Sequence, residues 1–139
     1  MEKELLNTFD KELLLKDLCA RLPYGVKVES VFINTDTKKR KSCGIEVFDA
    51  TCILMIRDGF GEFKPYLFPL SSMTEEQKQE YTYIVNYISP DDTDNLKEGE
   101  FIYVEQCAQL LYFYHINHLD YRGLIEKGLA IDATGKGIY

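Results

Sequence analysis

The sequence predicts a single α+β domain over residues 1–139, and three observations lead there. Segments with helical spacing lie at the start and in the second half of the chain, while strand-like segments cluster between them; this is the segregated order of an α+β fold and not the alternation of a parallel α/β sheet. The chain is 45% hydrophobic and 28% charged, which supplies one core and is too apolar for a disordered segment. No repeat of fixed period appears. The expected order is an N-terminal helix, an antiparallel sheet of three to four strands, two further helices and a glycine-rich C-terminal tail.

Residues 2–22 are good helix formers, with Leu15, Leu18, Cys19 and Leu22 on one face at three-and-four spacing. Asp10 offers a cap within this stretch, and Pro23-Tyr24-Gly25 stops it. Residues 26–33 open with strict alternation, as a strand with one buried face does. After the polar turn NTDTKKRKS (34–42), residues 43–49 and 51–57 read as strands. The second is expected at the centre of the sheet because Ile53-Leu54-Met55-Ile56 is apolar on both faces. Asp58-Gly59 between apolar runs signals a hairpin that pairs 62–70 antiparallel with 51–57, and Pro65 and Pro69 place 62–70 at an edge.

Thr74, three residues before Gln77, forms a capping box that opens a helix ending near Ile88. The segment SPDDTDNLKEGE (89–100) reads as an exposed acidic loop. A third helix covers roughly 102–117, with Val104, Cys107, Ala108, Leu111 and Tyr114 as its apolar stripe. The tail has three glycines after Gly123, with a short helix or turn and one strand near 129–133.

Acidic residues Glu2, Glu4 and Asp10 break any signal-peptide pattern, and no apolar run approaches the roughly 20 residues a membrane span needs, so a cytoplasmic protein is expected. Cys19, Cys43, Cys52 and Cys107 form no C-x-x-C pair; free thiols are expected, with no structural zinc, disulfide framework or cofactor. A net charge of −7 opposes nucleic acid as the main partner. The basic run Lys38-Lys39-Arg40-Lys41 lacks interleaved aromatics and reads as a solvated loop tip.

No catalytic signature is present: there is no G-x-S-x-G elbow, and Gly59-Phe60-Gly61 and Gly135-Lys136-Gly137 match neither a Walker loop nor a dinucleotide fingerprint. His115 and His118 at i, i+3, with Asp120, are the one grouping that resembles metal ligation. The same residues also fit a structural role, His115 as a polar tip along the Leu111 stripe and His118 at the helix end. Three further segments combine a cation with tyrosine beside proline or glycine: Arg21 with Tyr24, Lys64 with Tyr66, and Tyr121 with Arg122. Brought together, they would make an aromatic and cationic face for an anionic ligand or a protein partner. The alternative is structural, with Arg21 and Arg122 paired to Asp17 or Asp120 and the tyrosines filling the core edge.

The blocks DLCARLPYGVKV, KPYLFPLSSMT and DYRGLIEKGLAIDA resemble those of a family of small uncharacterised proteins met in anaerobic gut bacteria, their phages and mobile elements. The resemblance spans nearly the whole chain, with NTDTKKRK and residues 89–100 as its variable parts. It implies a phage or mobile-element setting and transfers no catalytic residue. The expected function is therefore a binding protein that engages a host protein or sequesters a small anionic ligand. The alternative is a small metal-dependent hydrolase or nucleotide-processing enzyme using His115, His118 and Asp120.

Overall fold

The computed structural model describes residues 8–86 and 96–139. Helix α1 (Thr8–Arg21) has Asp10 in its first turn and Arg21 in its last, each complementing the helix dipole. The first residues of the expected helix, 2–7, lie outside the described residues. A 3-10 turn through Pro23 follows, closed by Gly25 at φ 69°, a left-handed backbone that glycine adopts without strain. Strand β1 (Lys27–Ile33) and strand β2 (Arg40–Val47) then pair antiparallel, with a bulge at Ser30/Val31. Their connection is organised by Asn34, whose Oδ1 accepts from the backbone N–H groups of Asp36 and Thr37.

The expected strand at 51–57 is instead helix α2 (Ala50–Asp58). Asp49 caps its start by accepting from Cys52 N at 3.1 Å, and Gly59 at φ 77° ends it with its N–H on Ile56 O. A short run of consecutive apolar residues fits a buried strand and a helix equally well, and here the two flanking caps decide. The Asp58-Gly59 pair thus terminates a helix and makes no hairpin.

Strand β3 (Gly61–Pro69) pairs antiparallel with β1 and not with 51–57. It also pairs in parallel with strand β4 (Leu119–Asp120) and strand β5 (Ile131–Asp132), so it lies inside the sheet and not at its edge. Its prolines are tolerated because each stands at the end of a ladder: β1 pairing stops at Pro65 and β4 pairing at Pro69. The sheet order is β2-β1-β3-β4, with β5 also on β3.

Helix α3 (Glu75–Asn86) opens with the expected capping box, Thr74 N donating to Gln77 Oε1 at 2.9 Å and Gln77 N to Thr74 Oγ1 at 3.1 Å. The expected helix end and loop at 87–95 lie outside the described residues, and helix α4 (Leu96–Ile116) takes in the remainder of that loop. Among the described residues no helix is long and apolar enough to cross a membrane.

Two apolar clusters hold these elements together. The larger joins Leu18 of α1, Val26 and Val28, Phe48, Cys52 of α2, and Phe63 and Leu67 of β3 with the chain between β4 and β5. The smaller joins Ile84 of α3, Phe113 of α4 and Leu119 of β4. Both helix stripes read from the sequence are corrected. On α1, Cys19 is exposed while Asp17 and Arg21 are fully buried. On α4, Cys107, Ala108 and Leu111 face solvent, whereas Phe113 and His115 are buried. Val104 lies outside the described side chains.

Candidate functional site

The last turns of α1 place Asp17 and Arg21 one above the other at i, i+4, pointing towards the chain that follows α4. Arg21 donates from Nε to Asp17 Oδ2 at 2.8 Å and from Nη2 to the carbonyl of Leu119 at 2.6 Å. Arg122 donates from Nε to the other oxygen of Asp17 at 3.0 Å. One buried carboxylate therefore holds two guanidinium groups. The ring of Tyr121 serves both, with the Arg21 guanidinium carbon 5.2 Å and that of Arg122 5.0 Å from its centroid.

Helix α4 supplies the other wall. Tyr114 stacks on Tyr121 at 4.8 Å, and His115 Nε2 shares a 2.7 Å hydrogen bond with the Tyr121 hydroxyl. Tyr24, from the turn after α1, meets His115 at 5.6 Å and Tyr112 edge-on at 5.8 Å. Burial, with the Arg21 charge beside it, lowers the His115 pKa, so the imidazole is neutral at pH 7. Asp120 is turned the other way and accepts from the backbone N–H groups of Leu124 and Ile125, both at 2.9 Å. That cap fixes the turn on which Tyr121 and Arg122 stand.

Four of the six residues expected to share a face thus converge: Arg21, Tyr24, Tyr121 and Arg122. Arg21, at 0% exposure, belongs to the interior and offers no surface. Lys64 is exposed on β3 and has no contact with the cluster among the described residues. Tyr66 is buried on the same strand; its carbonyl accepts from the Tyr139 hydroxyl at 2.8 Å, and burial together with Glu29 raises its phenol pKa. The ion pairs to Asp17 are those of the structural alternative, except that Asp120 takes no part in them.

The histidines do not converge on a common point. His115 is held by Tyr121, while His118 stacks on Tyr139 at 3.7 Å with its Nδ1 buried and without a hydrogen-bond partner. Among the described residues no group of three or more His, Cys, Asp or Glu is placed to hold a metal ion. Burial, reinforced by Arg21 and Lys27, brings the His118 pKa down to about 4.

At the surface the cluster leaves one cation and a band of apolar side chains. Arg122 is 24% exposed, and its two terminal nitrogens make no hydrogen bond within the chain among the described residues. From Tyr121 the cluster continues through His115 and Tyr24 to the outer face of α4, where Leu111, Tyr112 and Ile116 are exposed, Tyr112 at 52%. Sequence reading named Asp17 only as one of two possible partners in the structural alternative, and missed Tyr112 as part of this face. The i, i+4 spacing of Asp17 and Arg21 was the signal that favours Asp17 over Asp120 for Arg21, and the position of Tyr112 off the expected Leu111–Tyr114 stripe was the signal for its exposure. No protein-family model matches the chain, and comparisons with curated proteins and with solved structures found no significant match.

Proposed function

We propose that this chain is a cytoplasmic binding protein of phage or mobile-element origin that engages a host protein through the surface formed by Arg122, Tyr24 and Tyr112. The observation that carries this reading is the presentation of Arg122. Its Nε is fixed on buried Asp17 and its guanidinium lies over Tyr121, so the fork stands at the surface with little left to order on binding. An acidic side chain of the partner meets that fork, and the exposed Tyr112, Leu111 and Ile116 supply apolar contact beside it.

The test is capture from host lysate on immobilised full chain, comparing wild type with Tyr112→Ala, Arg122→Lys and, as a control for lost charge, Lys41→Ala on β2. The expected result is one host protein held by wild type and Lys41→Ala, lost with Tyr112→Ala and reduced about tenfold with Arg122→Lys. Equal capture by all four proteins would end this reading.

A further inference from the structure

Away from that surface, a cavity of about 260 Å³ lies between α1 and the start of β3. Leu14 and Leu15 of α1, Ile33 at the end of β1, Ile56 of α2, Phe63 of β3 and Leu129 make its walls apolar. Three charged residues also line it: Lys11, Glu62 and Lys64. The Glu62 carboxylate is engaged by the Arg40 guanidinium, so its charge is already matched. Lys11 and Lys64 are exposed, and neither has an ion-pair partner among the described residues. In a chain of net charge −7, an apolar hollow flanked by two ammonium groups that make no ion pair among the described residues, one of them across the β1–β3 ladder from Glu29, is a local departure from the overall field.

We propose that this cavity binds a small amphipathic anion, an apolar tail packed on Leu14, Leu15, Ile56 and Phe63 with its carboxylate at Lys11 and Lys64. Charge complementarity selects this ligand. A neutral apolar molecule leaves both ammonium groups unused, and a cationic amphiphile is repelled by them. The volume sets the length: taking roughly 30 Å³, the liquid share of one water, for each non-hydrogen atom, the cavity holds about nine, which is the tail of a medium-chain carboxylate whose carboxyl group stays outside at the lysines. Lysine stems lie readily along apolar walls while their charged ends stay in water, which suits a ligand that enters tail first.

The experiment titrates decanoate, below its micelle concentration, into isotope-labelled full chain and follows backbone shifts, with decanol and decyltrimethylammonium as neutral and cationic comparisons. The expected result is saturable shifts at Leu14, Leu15, Ile33, Ile56, Phe63 and Leu129, with decanoate bound about tenfold more tightly than decanol. The double variant Lys11→Gln/Lys64→Gln, changed only at exposed positions, should bring decanoate down to the decanol level. Leu15→Trp should block both, and the double variant still decides the matter if Leu15→Trp does not fold. Equal binding of decanoate and decanol to wild type overturns the proposal, as does saturation at other residues. So does a dimer, seen by light scattering, in which a second copy covers the cavity and excludes decanoate. Tyr112→Ala should leave decanoate binding unchanged, which separates this site from the protein-docking surface.

Discussion

Where α1 meets the turn after β4, two arginines, a tyrosine and an aspartate are bound to one another and largely removed from water. On the outer side of α4, close by through Tyr24 and His115, Leu111, Tyr112 and Ile116 stand in solvent. Composition alone would have exchanged the two regions, with charges outside and the apolar residues inside. The comparison shows that a charged pair enters an interior when each member finds its counter-charge there, and that an apolar helix face stays outside when none of the described elements is placed to cover it. The first region is thus an assembly device for the fold, and it reaches the second through Tyr121, whose hydroxyl meets His115 beside Tyr24 and Tyr112.

Asp17→Ala is expected to have the largest effect on this comparison. It leaves Arg21 fully buried with the Leu119 carbonyl and the Tyr121 ring but no counter-charge among the described residues, and should cost about 3–5 kcal/mol, read from chemical unfolding of wild type and variant. A loss below about 1 kcal/mol would mean that solvent reaches the cluster and that the two regions do not differ in kind.

Acid should act next, at the stack of His118 on Tyr139. The folded state holds His118 at a pKa of about 4, against 6.5 for the free side chain. Between those values the unfolded chain binds a proton that the folded chain does not, so the stability is full above pH 6.5 and is lost as the pH falls towards 4. With solvent screening of this half-buried ring, the loss should be about 1–2 kcal/mol from His118, and His115, also lowered by burial, adds to it in the same direction. His118→Asn removes the titrating group while keeping a residue that accepts the local φ of 54°. It should flatten the slope of stability against pH between 6.5 and 5; an unchanged slope would place the acid sensitivity elsewhere.

The smallest change in stability belongs to the exposed face. Tyr112→Ala should shift unfolding by no more than about 0.5 kcal/mol while abolishing host-protein capture. A loss above about 2 kcal/mol would show that the Tyr24–Tyr112 contact is part of the core edge, and the contrast between the regions would fail.

Much of the fold was legible where short-range chemistry decides it. The Thr74–Gln77 box, the stop at Pro23 and the β1 alternation all depend on groups a few residues apart. The expectation at 51–57 went astray because its four consecutive apolar residues carry no period, and the informative signals, Asp49 and Gly59, were assigned to a strand end and a hairpin. The position of β3 was misjudged for a related reason: proline removes one donor, and whether that donor was needed depends on where each neighbouring strand ends. Of the candidate site, the residue types were legible and their grouping was not. Arg21 lies about a hundred residues before Tyr121 and Arg122, yet the two arginines share one carboxylate and the one Tyr121 ring.

The amino-acid order by itself determined the α+β class, the stop of α1, the start of α3, the end of α4 and the presence of arginine–tyrosine pairs towards the two extremes of the chain, because caps, turns and periodicity act over one or two turns of backbone. Tertiary structure alone decided that Asp17 would gather both arginines, that Lys64 would border a different cavity, and that the Leu111 stripe would face water. Those outcomes depend on which surfaces the sheet leaves for each helix to cover, a property of the packed molecule that local spacing does not carry.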